Sequence, residues 1–179
     1  SESAFALLES LVTLYDITGE ERWLCWAQDA AHLASSWVMS YNYNFPAESE
    51  FARLSMKTVG SVFANAQNKH SAPGICTLSG DSLYKLYQWT GQQEYLELLK
   101  DISGSIGQYM STEERPIYSW DVPKDASLLE GNDTIVPREK LPQGFICERV
   151  NTSDWEGASC IGGVFKGSCW SETANLLTL

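Results

Sequence analysis

The chain has 179 residues, 44% of them hydrophobic and 20% charged, enough for one domain with a sizeable core and ordinary for a globular protein. Twelve Lys and Arg stand against 23 Asp and Glu, a net charge of −11. So acidic a chain repels phosphate backbones and anionic headgroups, which argues against nucleic acid and membrane surfaces as partners, and no apolar run is long enough to span a bilayer.

The opening segment, Ser1–Tyr15, lacks the basic start of a signal peptide and reads as helix. Ala4, Leu7, Leu8, Leu11, Leu14 and Tyr15 recur at helical spacing. A second helix is expected to place Ala27, Ala30, Ala31, Ala34, Val38 and Tyr41 on one face, its alanines letting a neighbour approach closely. This pair repeats. Leu14-Tyr15-Asp16-Ile17-Thr18-Gly19-Glu20-Glu21-Arg22-Trp23-Leu24 aligns without a gap on Leu86-Tyr87-Gln88-Trp89-Thr90-Gly91-Gln92-Gln93-Glu94-Tyr95-Leu96, an offset of 72 residues. Leu11 aligns with Leu83, Ala30 with Ile102, Ala34 with Ile106 and Trp37 with Tyr109.

Gly19 and Gly91 stand where a helix ends and a left-handed residue is wanted. Thr18-x-x-Glu21 and Thr90-x-x-Gln93 match the capping box that opens the next helix. So short a connection makes the paired helices antiparallel. The expected class is therefore all-α, with hairpins at about 3–41 and 80–110.

Between them, 42–79 is long and mixed; Phe51–Gln67 reads as helix or irregular structure, interrupted by Gly60. The stretch 111–167 carries four of the six prolines and reads as irregular, with a short strand near Gly144–Arg149. A final helix is expected at about 168–179. Unless Phe51–Gln67 crosses the array as a full helix, both long loops lie at the end opposite the glycine turns. Long irregular segments are commonly functional, so a site is expected there.

The Leu-Tyr-x-x-Thr-Gly-x-x-x-Tyr/Trp-Leu hairpin resembles the outer-turn signature of the six-hairpin glycosidases, the (α/α)6 toroids. Gly167-Ser168-Cys169-Trp170-Ser171-Glu172 resembles the closing helix of such a ring. The resemblance covers about half of the chain. It implies an α/α-toroid, here an incomplete ring of about five helices out of twelve and so a C-terminal portion. It further implies a glycoside hydrolase working by carboxylate acid/base catalysis. No catalytic motif of any one glycosidase family matches, so no family residues are carried over.

Glycoside hydrolysis needs two carboxyl groups, about 5 Å apart in retaining enzymes and roughly 6.5–9.5 Å apart in inverting ones. Three acids at the long-loop end qualify: Asp81 at a helix start, and Asp154 and Glu156 on either side of Trp155. The plain alternatives are a helix N-terminal acid that meets the macrodipole and a turn around one buried Trp. His70, Trp120, Asp121, Trp155 and Glu172 are the candidate substrate contacts, because amides, imidazoles and indoles hydrogen-bond and stack on sugars. His32, in mid-helix, reads as structural.

The five cysteines lack zinc spacing and read as reduced and mostly buried; no metal or cofactor is expected. Asn132-Asp133-Thr134 and Asn151-Thr152-Ser153 are sequons whose meaning depends on compartment. Gly162-Gly163-Val164-Phe165-Lys166-Gly167 lacks the spacing of a phosphate loop, and no GxSxG elbow occurs. The expected partners are a carbohydrate and the remainder of a parent chain, or a second copy. The alternative reading is a carbohydrate- or protein-binding helical module without chemistry, or a purely structural repeat.

Overall fold

A computed structural model of the chain describes residues 2–64, 80–119, 139–147, 149–152 and 161–165. This part is mostly helical. Helices α1 (Glu2–Thr18) and α2 (Glu21–Ser35) form one antiparallel hairpin, and α4 (Asp81–Thr90) and α5 (Gln93–Ile106) form another. A single turn, α3 (Glu50–Arg53), lies between the hairpins. Four two-residue strands make two antiparallel pairs: β1 (Tyr118–Ser119) with β2 (Glu139–Lys140), and β3 (Arg149–Val150) with β4 (Val164–Phe165).

The two glycine turns are built alike. Gly19 and Gly91 have φ of +64° and +72°, and their N–H groups donate to Tyr15 O and Tyr87 O, each at 2.8 Å. The capping boxes expected here do not form. Thr18 Oγ1 donates back to Leu14 O and accepts from Glu20 N; Thr90 does the same with Leu86 O and Gln92 N. Each threonine ends the first helix, because its carbonyl four residues back is the nearer partner. Glu20 and Gln92, with extended backbones, occupy the cap positions without side-chain caps.

The hairpins lie side by side with α1 and α4 parallel. Tyr15 meets Trp89 edge-on at 4.8 Å, Lys85 Nζ reaches Asp16 at 3.0 Å, and His32 stacks on Tyr95 at 6.3 Å. The alanine stripe Ala27, Ala30, Ala31 and Ala34 is fully buried, with Phe5, Leu8 and Val12 of α1 and Leu83, Leu86, Tyr95 and Ile102 of the second hairpin in the same core. Both long loops leave from the end opposite the glycine turns.

At that end a second repeat appears, in backbone geometry. Met39 N donates to Ser61 O and Met39 O accepts from Gly60 N, each at 2.9 Å. Ser111 stands in the same relation to Phe145 and Gly144, and Asn151 to Gly163 and Gly162. The glycines Gly60, Gly144 and Gly162 have φ of +82°, +81° and +76°. One residue facing two, the first of them a left-handed glycine, is a G1 bulge. One step beyond each bulge come the antiparallel pairs Val38↔Val62, Met110↔Ile146 and Val150↔Val164. In the first two copies Ser61 N and Phe145 N close turns onto Thr58 O and Pro142 O. Glycine thus holds the third position, where a type II turn requires positive φ.

These pairings overturn one expectation and decide between the two readings of another stretch. Helix α2 stops at Ser35, and Tyr41 does not join its buried face: Trp37 N and Val38 N bond to Ala34 O and Ser35 O, tightening the helix end before Met39 pairs with Ser61. Phe51–Gln67 is helical only up to Arg53 among its described residues, because Gly60 closes a bulge and packs on α5. The bulges, with α3 and β1–β4, enclose a second core of Phe51, Met56, Tyr109, Ile117, Leu141, Cys147, Val150 and Val164.

Candidate functional site

The long-loop end is held by buried polar groups. Glu50, 1% exposed, accepts from Arg53 Nε at 2.8 Å, from Arg53 Nη2, and from Tyr118 N at 2.8 Å. Arg53 also donates to Pro116 O at 2.7 Å and lies over the Tyr118 ring. Its hydrogen bond to Glu50 holds the guanidinium above its ordinary range. Arg115 donates to Gln108 O at 2.6 Å and Leu54 O at 3.3 Å; burial, and then the Arg53 charge, pull its pKa down. The carboxylate is therefore spent on tying α3 to β1.

Tyr109 is wholly buried, and its hydroxyl pairs with Ser61 Oγ. Burial pushes its pKa up to about 12. This bond joins the end of the second hairpin to the bulge that follows the first.

The segment Tyr41–Phe45 carries an aromatic at every second position. Extended backbone puts such residues on one side. Tyr41 and Tyr43 rings lie 4.9 Å apart, Tyr43 and Phe45 6.3 Å, and Phe45 and the buried Phe51 4.5 Å. The ladder thus climbs from the second core to Tyr41, which is 64% exposed. The intervening polar residues fix it. Asn42 Oδ1 accepts from Thr58 N at 3.0 Å and Val59 N at 3.3 Å; Thr58 Oγ1 donates to Tyr41 O and accepts from Tyr43 N. Burial, the larger cause, and the neighbouring Tyr41 hydroxyl raise the Tyr43 pKa. The Tyr-Asn-Tyr-Asn-Phe alternation was a period-two signal in the sequence, hidden because Tyr41 also falls in phase with the preceding helix.

Of the acids and contacts expected from sequence, Asp81 alone lies among the described residues. It stands in the first turn of α4, 61% exposed, 3.1 Å from Lys85 Nζ. Lys85 also holds Asp16, so the two carboxylates approach within about 6 Å across one ammonium, whose pKa rises chiefly through Asp16 and then Asp81. The three groups meet where α4 lies against α1. Asp154, Glu156, His70, Trp120, Asp121, Trp155 and Glu172 fall outside the described residues, as does the expected final helix.

His32 is exposed and serves as a stacking partner for Tyr95. Cys147 is buried, and Cys25 is exposed, on the α2 face turned from the alanine stripe. Among the described residues no group of three or more His, Cys, Asp or Glu side chains could hold a metal ion, and no helix is long and apolar enough to cross a membrane. Comparison with protein-family models, curated proteins and solved structures gives no match.

Proposed function

We propose that the chain is part of a carbohydrate-active enzyme, an α/α-toroid glycoside hydrolase whose substrate lies along the long-loop end. The observation that supports this reading is the aromatic edge at Tyr41 and Tyr43. An exposed ring costs hydrophobic free energy in the free protein, and here it is fixed by four hydrogen bonds rather than left to fold away. A fixed aromatic beside polar amides is the surface on which a pyranose ring stacks. In this reading Asp154 and Glu156 supply the carboxyl pair and Asp81 a third acid. Trp155, Trp120, Asp121, His70 and Glu172 extend the contacts to the sugar.

The second reading, a binding module without chemistry, is favoured by Glu50. It is the sole buried carboxylate among the described residues, and Arg53 and Tyr118 consume it. Titration with a panel of oligosaccharides, together with reducing-end assays, separates the two. Tyr41→Ala should abolish binding with the fold intact. Glu156→Gln and Asp81→Asn should abolish turnover but keep binding. Turnover at the normal rate in both acid variants would sink their catalytic assignment, and unchanged binding by Tyr41→Ala would sink the platform.

A further inference from the structure

An open groove of about 250 Å³ runs between Lys57 and Val59, in the loop after the first hairpin, and Lys100, Asp101 and Gly104 of α5. Its walls are fixed to each other. Gln108, just past α5, accepts from Lys57 N at 2.8 Å and donates to Lys57 O at 2.7 Å, and Gly60 packs on the Asp101 carbonyl.

Two features of the groove ask for a ligand. The first is charge. Lys57 and Lys100 are exposed, and among the described residues neither ammonium has an ion pair or hydrogen bond, unlike the charged groups of Arg22, Arg53 and Lys85. Asp101 is the one acidic residue of the lining, so a chain of net charge −11 has here a recess with two ammonium groups against one carboxylate. The second is Gly104. It lies inside α5, where glycine costs stability relative to alanine. A Cβ there would meet nothing within 4 Å, so no packing among the described residues calls for glycine. Its missing side chain keeps the groove open.

The groove is also joined to the aromatic ladder. Thr58, between Lys57 and Val59, donates to Tyr41 O at 2.7 Å and accepts from Tyr43 N at 3.0 Å, and Asn42 Oδ1 accepts from Thr58 N and Val59 N. One stretch of backbone is thus bonded both to the ladder segment and to Gln108.

We propose that the groove is a subsite for a uronate ring, with its carboxylate between Lys57 and Lys100, so that the glycan bound along Tyr41 and Tyr43 is an acidic one. This rests on the reading of those tyrosines as a sugar platform and adds the substrate class to it. A lysine ammonium meets a carboxylate as a point charge, without the paired geometry that an arginine demands. The recess is smaller than the roughly 300–1,000 Å³ that enclose a drug-sized ligand, and a single ring held from one side is what it accommodates.

Both lysines are exposed, so the gain from charge is modest. By calorimetric titration the 179-residue chain should bind trimers of galacturonate or of mannuronate about 3- to 10-fold more tightly than the same trimers with their carboxyl groups reduced to alcohols. Lys57→Met and Lys100→Met, which keep the apolar stem, should each lower that preference about 2- to 3-fold, and the double variant should abolish it, with affinity for the reduced trimers unchanged. Gly104→Glu places a carboxylate where the ligand's would lie. It should abolish the preference while leaving Tm unchanged or higher, because the helix gains propensity and a pairing with Lys100. Equal affinity of the unsubstituted chain for charged and reduced trimers would overturn the uronate assignment and leave the sugar platform standing. A preference that survives in the double lysine variant would overturn the groove as its source. A fall in Tm of more than about 4 °C in Gly104→Glu would show that the chain itself fills the groove, and would overturn the subsite too. Failure of every trimer, charged and neutral, would end both this inference and the sugar reading beneath it.

Discussion

The two ends of the hairpin array solve the same problem, reversing the chain, by different means. At the glycine end one left-handed residue and one threonine suffice, and both copies use the same hydrogen bonds at a constant offset of 72 residues. At the long-loop end reversal needs a bulge whose two sides lie far apart in sequence. Met39 meets Gly60 and Ser61, whereas Asn151 meets Gly162 and Gly163. The first kind of turn depends on local chain stereochemistry and tolerates its surroundings. The second depends on what packs against it, and that is where substitutions should tell the two ends apart.

The largest effect is expected at the bulge glycines, which share a φ but not an environment. A Cβ on Gly60 would stand 1.9 Å from Asp101 O, in the α5 backbone; on Gly162 it would stand 2.7 Å from Ser49 Cβ; on Gly144 it meets nothing. Gly60→Ala should therefore cost more than about 3 kcal/mol, and Gly144→Ala only the left-handed strain of about 1–2 kcal/mol, as should Gly91→Ala at the other end. Gly162→Ala should fall between. Urea midpoints at constant m would measure this, and equal costs at Gly60 and Gly91 would break the distinction between the ends.

Glu50→Gln comes next. It leaves the Arg53 guanidinium without its carboxylate, but Arg53 is 43% exposed and is resolvated in part, so a loss of about 2–3 kcal/mol is expected rather than that of a wholly buried pair. A neutral outcome would show that α3 and β1 are held by packing alone.

Tyr109 adds a pH dependence. Its folded pKa of about 12 exceeds the ordinary 10.0, so between these values the unfolded chain has lost a proton that the folded chain keeps. Its contribution is complete below pH 10 and is lost as pH rises towards 12, at up to about 1.4 kcal/mol per pH unit. Tyr109→Phe should flatten that part of the stability profile, and an unchanged slope would exclude the phenol as its source. The smallest effect belongs to Lys85→Met. The ammonium and both carboxylates are substantially exposed, so removing the ion triad should change stability by no more than about 1 kcal/mol, and less in high salt.

The sequence by itself determined the helical content, the paired hairpins and the glycine turns. Helical periodicity, a left-handed glycine and a helix-ending threonine act within a few residues, so Gly19 and Gly91 announce their turns wherever they occur. It also carried a signal that ungapped comparison misses: Val59-Gly60-Ser61-Val62-Phe63 and Ile161-Gly162-Gly163-Val164-Phe165 are two copies of one bulge. Insertions of unequal length separate those copies from their partners, so no constant offset reveals them. Only the tertiary structure decided that α2 ends at Ser35, that Tyr41 leaves the helical face for an exposed ladder, and that Glu50 is spent on Arg53 and Tyr118. Each outcome is set by a group distant in the chain, Ser61 for Met39, Thr58 for Tyr43, Tyr118 for Glu50, and local propensity has no term for such a partner.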